Sequence, residues 1–105
     1  MANEIARNSQ DGTGAVIDIR LGFVPDYVKV VNIESPTMEQ LEYYRGMPAA
    51  SARKGVVGGN ATKITTNGIT LLTGGPLPDG FRIGADVDVN VLGETLVWEA
   101  HRGGW

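Results

Sequence analysis

Three oxygen-bearing side chains at alternate positions, Asp86, Asp88 and Asn90, are the residues of this chain most suggestive of chemistry, because that spacing opens a calcium-binding loop. Such a loop goes on to require glycine at its sixth position and a bidentate glutamate at its twelfth. Those places hold Val91 and Val97, so the ligand set breaks off, and the three residues are expected to shape a turn or a solvated strand face. His101 is the only histidine; it stands beside Arg102 with no nucleophile context, so neither a general base nor a Ser-His-Asp arrangement is expected. Glu39 and Glu42 could act as paired carboxylates, but their polar surroundings predict solvated surface. Residues 55–60, GVVGGN, resemble a glycine-rich phosphate loop that lacks the following Lys-Ser/Thr and a helix to open. Asn60-Ala61-Thr62 fits a glycosylation sequon, which has no consequence without secretion. The chain has no cysteine, which removes disulfides, thiolate metal sites and thiol catalysis. No catalytic, cofactor or metal site is expected, and the chain reads as a non-enzyme.

The elements between these residues are short and extended. Residues 14–21 (GAVIDIRL) alternate as a strand, and residues 22–26 turn the chain at Pro25. Residues 27–33 (YVKVVNI) are rich in β-branched and aromatic types and predict a central strand. Residues 38–45 (MEQLEYYR) allow either a helix capped at Ser35-Pro36 or a strand; the strand is preferred because Leu41, Tyr43 and Arg45 alternate. Residues 47–54 read as a small-residue loop, followed by a break or short strand around Val56-Val57. Asn67-Gly68, flanked by β-branched residues, predicts a type I′ hairpin turn within residues 63–72. Residues 74–80 are an exposed Pro/Gly loop; Phe81-Arg82-Ile83 form a strand, and a turn near Gly93-Glu94 leads to a last strand over residues 96–100. The pattern predicts an all-β fold, a small antiparallel β-sandwich or barrel, with residues 14–105 as one domain. Its expected core is Val16, Ile19, Val28, Val30, Ile64, Leu71, Phe81, Ile83, Leu96 and Trp98. Residues 1–13 are polar and aperiodic and predict an extended N-terminal arm, loose until it meets a partner.

Composition bounds the partners. With 9 basic and 12 acidic residues and a formal net charge of -3, the chain lacks the concentrated positive footprint of nucleic-acid binding. No apolar run approaches the roughly 20 residues of a membrane span, and residues 1–12 lack the apolar core of a signal peptide. Fifteen glycines among 105 residues punctuate the apolar runs, as many turns between short strands require.

Four segments carry a resemblance: GFVPDYVKVVN (residues 22–32), LEYYRGM (41–47), TNGITLL (66–72) and GFRIGADVDVNVLGETLVWEAHR (80–102). Their order resembles a family of small tailed-bacteriophage virion proteins. In that family a G-F-x-P-x-Y-V-x-V-x-N strand precedes E-x-x-x-G-M, and the chain closes on G-F-x-I-G … N-x-x-G-E-x-x-x-W-E-A. The resemblance covers nearly all of the chain after residue 13 and implies no catalytic residue. It implies a capsid decoration (cement) protein on the virion surface, made in the host bacterial cytoplasm, with the major capsid protein and copies of itself, as trimer or dimer, for partners. Association with a head or tail fibre, recognising a receptor or glycan, is the alternative; a tail-tube or adaptor component is a third. Candidate partner-binding residues are Ile5 in the arm, Tyr43 and Tyr44, which the glycan alternative would use with Trp98 as stacking platforms, and Trp105, an aromatic anchor tethered by two glycines. Residues 103–105 and the arm lie outside the resemblance.

Overall fold

The computed structural model describes residues 4–56 and 59–103. They form eight strands: β1 (Glu4–Asp11), β2 (Ile17–Arg20), β3 (Tyr27–Asn32), β4 (Gln40–Tyr44), β5 (Ser51–Gly55), β6 (Ala61–Leu72), β7 (Gly80–Ile83) and β8 (Thr95–Arg102). All belong to one antiparallel sheet in the order β1-β8-β3-β4-β5-β6-β7-β2, curled around its own concave face. The fold is all-β, as the alternation of apolar residues predicts.

The alternation decides which side chains fill the curl. Val28 and Val30 of β3, Leu41 and Tyr43 of β4, Leu96, Trp98 and Ala100 of β8, and Phe81 and Ile83 of β7 all point inward and are buried. Val89 enters from the loop between β7 and β8, at one end of the curl. Phe23 and Pro25 are buried at the other end, between β2 and β3. Ile64 and Leu71, expected in the core, lie half-buried against it, as does Ile19. Val16 is a correction: it is exposed, and its neighbour Ile17 is the buried residue. A one-residue shift exchanges the two faces of a strand, and Ile17 is fixed inward by its pairing with Ile83.

Three further expectations are revised. Residues 51–55 are not loop but β5, a strand inside the sheet. Asn67-Gly68 does not close a hairpin: β6 runs through it, pairing Ile64 with Ala52 and Ile69 with Ser51, so residues 65–68 bulge out of register. Asn67 takes the left-handed conformation (φ 60°), but Gly68 does not. Gly68 serves instead for close approach: a Cβ there would stand 2.6 Å from the Ser51 carbonyl. Its N–H donates to the Ala50 carbonyl (2.9 Å) and its own carbonyl accepts from Gly84 (2.8 Å). Finally, the segment expected to be loose lies extended along β8 of its own chain, from Glu4 opposite Arg102 to Asp11 opposite Thr95.

Candidate interaction surface

Strand directions place one end of the curl at the finish of β3, the starts of β4 and β8, and the finish of β7. Two buried asparagines organise it. Asn32 shares its amide N–H groups among Glu94 Oε1 (2.7 Å), the Val89 carbonyl (3.2 Å) and the Asp88 carbonyl (3.4 Å). Its Oδ1 accepts from the backbone N–H groups of Glu34 (3.0 Å) and Ser35 (3.1 Å). Asn90 donates to the carbonyls of Ala15 (2.6 Å) and Gly84 (3.0 Å) and accepts from Thr13 (2.9 Å) and Gly14 (3.3 Å). Three loops, before β2, after β3 and before β8, are thereby tied to one another by side chains that have almost no contact with water.

The Asp86, Asp88 and Asn90 spacing finds its role here. Asp86 Oδ1 caps the N–H groups of Asp88 (2.9 Å) and Val89 (3.1 Å), and the Asp86 carbonyl accepts from Asn90 (2.9 Å), closing a single turn. Lys54 pairs with Asp86 (3.0 Å) and Asp88 (2.6 Å). Burial works against the charged lysine, but the two carboxylates outweigh it and hold its pKa above the ordinary value. Lys54 also floors a shallow recess of about 260 Å³ with Glu39, Gly55, Val56, Asn60, Thr62 and Asp88. Its one cation is already matched by two carboxylates, and among the described residues no cluster of His, Cys, Asp or Glu could hold a metal ion. The glycine-rich residues 55–60 lead into strand β6, not a helix; Val57 and Gly58 lie outside the described residues.

Among the side chains this end presents to solvent, beside the exposed Glu34, Thr37 and Asp88, are five large apolar ones. Val87 is 80% exposed and Leu92 77%, and Val16, Ile33 and Met38 stand exposed on the loops tied to theirs. Leu92 sits at the tip of a turn closed by the Glu94 N–H on the Val91 carbonyl (3.0 Å), with Gly93 supplying the positive φ. A contiguous exposed apolar patch marks an interaction site, whereas apolar side chains exposed singly are ordinary on a protein surface. In the sequence, Val87 and Leu92 stand among turn-forming residues, and nothing in their spacing distinguishes them from core.

The residues predicted from sequence fall elsewhere. Ile5 and Tyr44 are both exposed and belong to one row across the convex face, in the order Ile5, His101, Tyr27, Tyr44. Tyr27 meets Tyr44 at 5.3 Å between ring centroids and His101 edge-on at 5.5 Å. Beside it runs a row of charges, Arg7, Glu99, Lys29, Glu42 and Arg53, in which each residue faces an opposite sign. Glu42 accepts from the Tyr27 hydroxyl (2.7 Å) and Arg53 (2.8 Å). Burial pushes the Glu42 carboxyl up, but these bonds prevail and hold it below the ordinary glutamate range. Burial, followed by the bond to Glu42, drives the Tyr27 hydroxyl pKa well upward. Tyr43 is a correction: at 4% exposure its ring is part of the core and its hydroxyl donates to the Met47 carbonyl (2.8 Å), because β4 alternation sends Tyr44 out and Tyr43 in. Trp105 lies outside the described residues. Comparison of the chain with known protein families, curated proteins and solved structures finds no match.

Proposed function

We propose that this chain is a structural component of a tailed-bacteriophage particle, a decoration protein that seats between major capsid subunits and stiffens the head. The family reading rests on the four segments quoted above. The observation that supports it in the fold is the apolar end, where Val87 and Leu92 are held out of the core by the Asn32 and Asn90 frame. A protein that resists separation of its neighbours must transmit force from its contact residues into a packed body. Side chains on a loop tied to two others do this with little ordering cost on binding. Many identical copies acting on one shell let each contact be modest.

The exposed row from Ile5 to Tyr44 favours a second reading, a fibre-associated module that stacks sugar rings on Tyr44 and Tyr27. Co-sedimentation with intact heads of the encoding phage, set beside a glycan array, separates the two. Under the first reading the protein pellets with heads, and the double variant Val87→Asp, Leu92→Asp stays in the supernatant while melting at the same temperature. Full head occupancy by that variant overturns the assigned surface. Glycan binding abolished by Tyr44→Ala, without head association, replaces the first reading by the second.

A further inference from the structure

We propose that the outer edge of β1 is a self-pairing surface, on which a second copy of the chain lays its own β1 antiparallel about a two-fold axis at Ser9. In this register Arg7 faces Asp11 of the partner subunit on both sides of the axis. The inference does not depend on the virion reading.

The direction of the backbone groups in β1 follows from bonds made by β8. The Thr95 carbonyl accepts from Ile33 (3.2 Å) and the His101 carbonyl from Asp26 (2.7 Å), so odd-numbered residues of β8 face β3. Leu96, Trp98, Ala100 and Arg102 therefore face β1, and their partners Gln10, Asn8, Ala6 and Glu4 direct their backbone groups to β8. Gly12, next in that alternation, also bonds inward, donating to Glu94 (2.7 Å) and accepting from Gly93 (3.0 Å). Ile5, Arg7, Ser9 and Asp11 consequently turn their N–H and C=O groups to the opposite side, where β1 ends the sheet. Two of these groups are taken up only by adjacent side chains. Asn8 Oδ1 accepts from the Ser9 N–H (2.8 Å), and Gln10 Nε2 donates to the Asp11 carbonyl (3.4 Å).

Edge strands are ordinarily guarded by shortness, proline, lysine or a bulge. The edge at β2 is four residues long. β1 has eight residues, EIARNSQD, with no proline, lysine or glycine, and its register against β8 is unbroken. Such an edge is a template for another strand.

The pleat and the charges select the partner and the register. Paired residues in an antiparallel ladder must point to the same face, so Glu4 can never stand opposite Arg7 of an identical strand. An axis at Arg7 sets arginine against arginine, and one at Asn8 sets Ile5 against aspartate. The axis at Ser9 sets Arg7 against Asp11 twice and Asn8 against Gln10, pairing every side chain in the stretch with a complement. It also brings outward-facing backbone groups together. Ser9 with its symmetry mate, and Arg7 with Asp11 on either side, each exchange both N–H···O bonds.

The absence of cysteine makes the test direct. Hydrogen-bonded antiparallel pairs hold their Cα atoms about 5.5 Å apart, inside the range that a disulfide spans. In the full chain, Ser9→Cys should form a covalent dimer under mild oxidation. Asn8→Cys and Gln10→Cys should each form no covalent dimer alone and cross-link when mixed. In sedimentation equilibrium, Arg7→Asp and Asp11→Arg should each raise the dimer Kd by about tenfold, since each sets like charges opposite at two symmetric places. The double reversal should restore it. Ser9→Pro removes a donor that β8 does not use and should leave a folded monomer. A wild-type chain that sediments as a monomer at every concentration overturns the proposal. Equal cross-linking of all three cysteine variants, or no rescue by the double reversal, overturns the register.

Discussion

Phe81 and Trp98 meet edge to face, with ring centroids 5.3 Å apart and planes inclined by 75°. Phe81 is on β7 and Trp98 on β8, strands separated by β3, β4, β5 and β6 in the sheet. The contact therefore spans the interior and fastens the two sides of the curl. Trp98→Ala should cost about 3–5 kcal/mol, the usual range for deleting a buried aromatic ring. Phe81→Ala should cost about as much, and the double variant less than the two together, because the rings share a contact. Urea denaturation of the three variants checks this; a loss below about 1 kcal/mol for Trp98→Ala would remove the ring from the core.

Gly68→Val should destabilise the chain severely, and Gly84→Ala should do the same. A Cβ at Gly84 would come within 2.3 Å of the Asn67 carbonyl, as one at Gly68 would crowd Ser51. Neither glycine has a positive φ, so strain in the turn is not the cause. The backbones of Ala50, Gly68 and Gly84 are hydrogen-bonded in series, and no side chain fits between them. Gly68→Ala separates the explanations: a tight turn would tolerate alanine poorly but locally, whereas the stacked backbones predict loss of the cooperative melt. Retention of wild-type thermal stability in Gly68→Ala would contradict the stacking.

How far the sequence discloses this fold depends on whether a local signal agrees with its distant contacts. β3, β4, β7 and β8 are legible because Val28 and Val30, Leu41 and Tyr43, Phe81 and Ile83, and Leu96 and Trp98 recur at every second position and the sheet buries that same set. β5 is not legible. Its place in the sheet is set by β6, where Ile64 pairs with Ala52 and Gly68 approaches the backbone of Ala50 and Ser51, tertiary contacts that the small residues of the segment do not announce. Asn67-Gly68 carries the same local signal whether it closes a hairpin or bulges a strand, and only the bonds to Ala50 and Gly84 decide. The apolar end is hidden for a related reason. The interior beneath it is occupied by Asn32, Asn90 and Val89, so Val87 and Leu92 have nowhere to go but outward.

Acid should weaken the convex face before it weakens the core. Glu42 is held below the ordinary glutamate range in the fold, despite burial, by Tyr27 and Arg53. Asp18 is held low by its hydrogen bond to Arg82. A carboxyl with a depressed folded pKa binds its proton more readily when unfolded. The stability it supplies is complete above its unfolded pKa and is lost as the pH falls through the folded value. Melting temperature should thus hold between neutrality and pH ~5 and decline below the ordinary carboxylate range. Glu42→Gln should lower it at neutral pH and flatten that decline. An unaltered acid slope in this variant would show that Glu42 contributes nothing to it.

Asn90 supports a surface it does not itself form. Its amide satisfies Thr13, Gly14, Ala15 and Gly84, and with it gone these backbone groups are left without that partner beneath Val87 and Leu92. Asn90→Ala should cost about 1–3 kcal/mol, the range for one buried group, the Gly84 carbonyl, losing its partner while water can reach those of Thr13, Gly14 and Ala15. Asn90→Asp keeps the acceptor for Thr13 and Gly14 but turns a carboxylate oxygen toward the carbonyls of Ala15 and Gly84. It should be no better tolerated at neutral pH and should recover as the pH falls and the group can donate again. Amide hydrogen exchange should accelerate at Thr13 and Gly14 in the alanine variant while the amides of β3 and β4 keep their protection. If the frame is what presents the apolar end, Asn90→Ala should also weaken head attachment at temperatures where the domain is still folded. Wild-type attachment, with accelerated exchange at Thr13 and Gly14, would mean that Val87 and Leu92 bind without being held.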